Sequence, residues 1–117
     1  MPLRETDYAG AVPVDSYGPG FFRIAGRVVR GPVIVTPAGA QPWGGLADRA
    51  ALTALAGVAD LLFLGMGAEI AAPPAGLLDS LDDAGLMVET MATPTAARSY
   101  NVTLSEGRRV ACALLPV

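Results

Sequence analysis

Helix and strand signals alternate between Asp48 and Leu115, and that rhythm narrows the possible folds more than any other feature of the chain. Asp48–Ala56 predicts a helix, with Asp48 as N-cap and Gly57 just past its end. Leu61–Leu64 is an apolar run short enough for a buried strand. Pro74–Ala84 predicts a second helix, with Pro in its first turn and Gly85 beyond its last. Leu86–Met91 predicts a strand. Pro94–Glu106 predicts a third helix, with Thr93 as N-cap, Pro94 at N1 and Gly107 at C′. Val110–Leu115 predicts the closing strand. Strands alternating with helices belong in one sheet, with the helices crossing over its faces, and crossovers between parallel strands are right-handed.

The front of the chain has a different texture. Residues 1–11 read as a loose N-terminal segment. Four short β-rich runs follow: Val12–Tyr17, Phe21–Ile24, Arg27–Arg30 and Val33–Thr36. Gly18-Pro19-Gly20 and Gly31-Pro32 supply turns between them, so these strands are expected to be antiparallel. Residues 37–45, rich in Pro and Gly, read as a loop. Residues 12–117 are expected to form a single α/β domain, since 117 residues suffice for one core and not for two.

Composition excludes several kinds of chemistry. The chain is 52% hydrophobic and 16% charged, a globular balance. Its formal net charge is -3, which argues against a nucleic-acid partner, because phosphate binding needs clustered positive charge. Every basic residue is Arg, with no Lys and no His. Schiff-base chemistry, Ser-His and Cys-His pairs and imidazole metal ligation are therefore out of reach. Cys112 stands alone in an apolar run and reads as a buried thiol. The first ten residues lack the apolar core of a secretory signal, and no apolar run approaches the ~20 residues of a membrane helix. The expectation is a cytoplasmic protein with no membrane insertion.

Several features could hold a ligand or a partner. Leu61–Leu64 runs into Gly65-Met66-Gly67, a glycine turn at the carboxyl end of a strand, where ligands bind in α/β sheets. The dinucleotide pattern is incomplete, because Ile70 stands where a third glycine is required. Thr93 opens the third helix after another strand, so its hydroxyl either caps the helix or joins an anion site there. If the two strands are parallel, Gly65, Met66, Gly67 and Thr93 meet at one end of the sheet as a crevice. Ala97, Tyr100 and Leu104 share one face of the third helix and are expected to pack on the sheet. Arg98 and Asn101 lie on a neighbouring face, and Arg98 is a possible clamp for a carboxylate or phosphate. Asp79, Asp82 and Asp83 read as a solvated helix face, with no third metal ligand of the right kind nearby. Trp43 lies in the Pro/Gly loop and either caps the core or anchors a partner from an exposed position, and the partner-contact surface is expected to include it. No cofactor, metal site or catalytic residue is assigned.

Together these motifs resemble a known family. They are Val14–Phe21 with Ile24 and Gly26, Val35-Thr36-Pro37, Trp43, Leu64–Gly67, Met91–Asn101 and Glu106–Val110. The family is a small α/β domain family that includes the mitochondrial respiratory complex I assembly factor 3 and many bacterial and archaeal domains of unknown function. The resemblance implies a three-layer α/β fold around a mixed central sheet, with crossover helices and an additional N-terminal β part. It implies a chaperone-like role, in which the protein binds early subunits of a respiratory complex, and it carries no enzymatic activity. The family often has Cys immediately before the Arg that matches Arg98, and this chain has Ala97 there. A thiol role at that position has no support in this sequence. Two readings follow: a non-catalytic binding or assembly factor, favoured by the residues available, and a small-molecule or anion site, or an enzyme, at Gly65, Gly67 and Thr93 with Arg98.

Overall fold

The structure is a computed structural model and describes residues 8–117. A five-stranded mixed sheet forms its centre. The strands, in chain order, are β1 (Val14–Gly18), β2 (Phe21–Ile24), β3 (Arg27–Arg30), β4 (Val33–Thr36), β5 (Gly39–Pro42), β6 (Leu61–Gly65), β7 (Met87–Met91) and β8 (Val110–Leu114). The central sheet has the order β5-β4-β8-β6-β7, and β1-β2-β3 form a separate antiparallel sheet. β6 pairs in parallel with both β7 and β8, as the alternating signals predict. β4 joins antiparallel to β8 and forms a hairpin with β5.

Three helices complete the fold: α1 (Arg49–Thr53), α2 (Leu77–Asp83) and α3 (Thr93–Ser105). A 3-10 turn, Ala54–Gly57, extends α1. The period-two alternation of the strands sorts their side chains onto two cores. Leu61, Phe63, Val110, Cys112 and Leu114 face α3 and the small sheet. Leu62, Leu64, Ala111 and Ala113 face α1 and α2. The central sheet is therefore buried on both sides, and its middle strands read as continuous apolar runs for that reason.

Four expectations need correcting. β5 lies in the stretch expected to be a loop; Gly-Ala-Gln-Pro has no strand character of its own and is held by pairing with β4. α2 starts at Leu77, three residues beyond Pro74, with Gly76 at its N-cap in the left-handed region at φ 81°. Thr93 is not the cap of α3: Ala92 is, and Thr93 is the first helical residue, which moves Pro94 to the second position. Trp43 is not exposed. It is 4% accessible, packs in the α1–α2 core and donates from Nε1 to the Asp48 carbonyl at 3.2 Å. Of the two readings for Trp43, the structure takes the core cap. Asp48 is the N-cap of α1 as expected, accepting from the Ala51 amide. Residues 1–7 of the expected loose segment lie outside the described residues. From Tyr8 the chain is tied down, with the Ala11 amide on the Tyr8 carbonyl and the Val12 amide on the Pro37 carbonyl.

Candidate functional site

Parallel pairing brings the carboxyl ends of β6, β7 and β8 together, and Gly65, Gly67 and Thr93 meet there. The Thr93 hydroxyl accepts from the Gly67 amide at 2.9 Å and donates to the Leu115 carbonyl at 2.6 Å. The Thr93 amide donates to the Gly67 carbonyl at 2.8 Å, and the Met66 amide to the Met91 carbonyl at 2.9 Å. Thr93 is fully buried. Gly65 permits this approach, since a Cβ there would sit 2.8 Å from the Thr93 Cα and from its Oγ1. The expected crevice thus closes on itself. The Thr93 and Gly67 donors that would greet an anion are bonded within the fold, and Pro94 has no amide to add.

The remaining residues of the expected site are elsewhere. Asn101 clamps β1: its Oδ1 accepts from the Val14 amide and its Nδ2 donates to the Val14 carbonyl, both at 2.8 Å. Tyr100, one position earlier, is fully buried and donates from its hydroxyl to the Val12 carbonyl at 2.8 Å. These adjacent side chains fasten the small sheet to α3. Ala97, Tyr100 and Leu104 all face the core, as the helical spacing predicts. Arg98 points outward and is exposed. Among the described residues the one ion pair joins Arg109 to Asp60 at 3.5 Å, so Arg98 carries an unpaired charge.

Two depressions flank Arg98. One, of about 170 Å³, is bordered by Asp15, Ser16, Pro94 and Asn101. The other, of about 380 Å³, runs between α3 and β7, with Leu61 and Phe63 as floor and Glu89, Arg98, Val102 and Arg108 as walls. Neither is lined by Gly65, Gly67 or Thr93. The second groove was not among the sites expected from the sequence. One signal was available: Val102 falls off the apolar face of α3, and it is 54% exposed.

Cys112 is buried among apolar side chains, and burial drives its thiol well above the ordinary range. Such a thiol is a poor nucleophile. The Tyr100 hydroxyl is raised as well, chiefly by burial, with Cys112 and Tyr8 adding to it. Among the described residues no group of His, Cys, Asp and Glu is placed to hold a metal ion. No helix among them is long and apolar enough to cross a membrane.

The chain is similar to several known proteins. An uncharacterized protein of Rhodobacter capsulatus is 58% identical over 117 residues, covering 100% of this chain and 94% of that protein. NADH dehydrogenase (ubiquinone) 1 alpha subcomplex assembly factor 3 of Danio rerio is 33% identical over 123 residues, covering 99% of this chain and 71% of that protein. Among solved structures, one described as an outer membrane protein from Bartonella henselae superposes with a TM-score of 0.80 at 32% identity, covering 91% of this chain and 95% of that one. A Bordetella pertussis protein described as an Mth938-like domain superposes with a TM-score of 0.79 at 25% identity, covering 99% of this chain and 92% of that one. A model for proteins of unknown function, DUF498/DUF598, matches residues 14–115. That span takes in every strand described above, and the chain belongs to the DUF498/DUF598 family, the small α/β family whose relatives include complex I assembly factor 3.

Proposed function

We propose that the protein is a non-catalytic assembly factor that binds protein subunits of a respiratory membrane complex. The observation that carries this reading is the 33% identity to a named complex I assembly factor across 99% of the chain. The structure supports it in one respect. The strand-end crevice that would serve a small molecule is filled by hydrogen bonds among Gly67, Thr93 and Leu115, whereas the groove beside Arg98 is open to solvent. A chain without Lys or His also has few ways to activate a nucleophile. The compartment in this reading is the cytoplasm, as the sequence led us to expect.

The test is a deletion strain of the native host, assayed for complex I level and activity and complemented with the wild-type gene. The expected outcome is reduced complex I, restored on complementation, with the protein in the cytoplasmic fraction. Normal complex I in the deletion strain rejects the reading.

A further inference from the structure

We infer that the outer edge of β7 is a docking site for an extended, acidic segment of a partner protein, which adds to the central sheet as a sixth strand beside the α3 groove. The inference rests on the protein-binding reading above and names the surface and the chemistry of the partner.

β7 ends the central sheet, and no described strand pairs with its outer side. The Met87 amide donates to the Asp60 carbonyl, and the Met91 carbonyl accepts from the Met66 amide. In a parallel ladder the residues that bond one neighbour alternate along the strand. Met87, Glu89 and Met91 therefore turn their backbone groups to β6, and Val88 and Thr90 present theirs to the open side. That is a template for strand addition.

The other edges are blunted. β5 ends in Pro42 and contains Gly39. β3 carries Arg27 and Arg30 at its ends. β1 has an irregular register between Val14 and Ser16, and Asn101 occupies both backbone groups of Val14. β7, Met-Val-Glu-Thr-Met, has no Pro, no Gly and no basic residue. Met87 on it is 63% exposed.

The charges beside the edge select the occupant. α3 lies over β6 and β8 and barely reaches β7, which leaves the groove floored by Leu61 and Phe63. Arg98 and Arg108 border that groove, and neither is ion-paired. A strand added to β7 would turn alternate side chains toward them. Glu89 lies on the same wall, so carboxylates four residues apart match the two arginine forks, while the side chain between them on that face, opposite Glu89, is apolar and lies against Met87 and Val102. A second copy of this chain fits poorly. Twofold antiparallel pairing centred on β7 sets Glu89 against its own copy, and like charges directly opposite are destabilising.

The experiment uses the whole protein, isotopically labelled, and three synthetic peptides of about eight residues, a little longer than the strand they would pair with. One carries two Asp four residues apart among Val and Thr, one carries Lys at the same two positions, and one is the Asp peptide with central prolines. The expected result is that the Asp peptide slows exchange of the Val88 and Thr90 amides, and that the other two bind at least about tenfold more weakly. Val88→Pro removes an outward amide that β6 does not use, and it should lower Asp-peptide affinity by about tenfold. The double variant Arg98→Glu, Arg108→Glu leaves the backbone edge intact and should invert the preference to the Lys peptide. No protection at Val88 and Thr90, or equal affinity for the Asp and Lys peptides, overturns the proposal. Sedimentation showing a dimer that Val88→Pro dissolves also overturns it, in favour of a second copy. The peptide measurement is made in vitro, so it decides the edge whether or not the deletion strain keeps its complex I.

Discussion

Thr93 joins three parts of the chain through one amide and one hydroxyl. Its partners are Gly67 on both backbone atoms and Leu115, 22 residues away in sequence. Replacing it with Val keeps the shape but leaves a buried amide and carbonyl without that partner. Each orphaned group costs about 1–3 kcal/mol, so Thr93→Val should lose more than about 2 kcal/mol in urea melts. Thr93→Ser keeps the hydroxyl and should lose about half as much or less. Thr90 is the opposite case. Its hydroxyl is buried and has no hydrogen-bond partner among the described residues. Thr90→Val removes that burden without changing the shape, and a gain of about 1 kcal/mol is expected in the same assay. The sequence alone could not separate the two threonines. A Thr before Pro at the start of a helix has the local pattern of a cap, and what overrides it is a contact between distant segments.

α3 is the element the sequence described best. Its apolar positions recur with helical spacing and its ends carry local signals, with Gly107 at φ 79° beyond the last turn. The opposite faces of α3 give a direct comparison. Tyr100 is fully buried and hydrogen-bonded across to Val12, so Tyr100→Ala should cost about 3 kcal/mol or more. Arg98 is exposed and unpaired, so Arg98→Ala should stay within about 0.5 kcal/mol. Equal effects in urea melts would contradict the structure. β5 and α2 were less legible for a physical reason. β5 has no apolar pattern because it is an edge held by its neighbour's backbone, and α2 begins where Gly76 can take a positive φ, a feature that Pro74 masks in the sequence. The candidate site was legible in one respect only. Gly65, Gly67 and Thr93 were expected to converge and do, but Arg98 and Asn101 belong to other surfaces.

At the scale of the molecule, burial of Cys112 and Tyr100 links stability to pH. The unfolded chain releases these protons near the ordinary values of 9.0 and 10.0, while the folded protein holds both above that range. The folded state therefore binds more protons than the unfolded state at high pH, and stability falls as pH rises. Their contribution is intact below about pH 9 and is lost progressively above it. Melts taken from pH 7 to pH 11 should show a flat region and then a decline, and Cys112→Ala should remove the part of the decline that begins first. The order of the strands has a further consequence. β8 follows the other described strands in sequence, yet it lies in the middle of the sheet, between β4 and β6. During synthesis on the ribosome, β4 and β6 emerge with an unfilled slot between them. Both cores lack their common wall until residues 110–114 leave the exit tunnel. Neither core can close before the β8 segment arrives, and until then the nascent chain offers two open strand edges, on β4 and β6, to whatever is near.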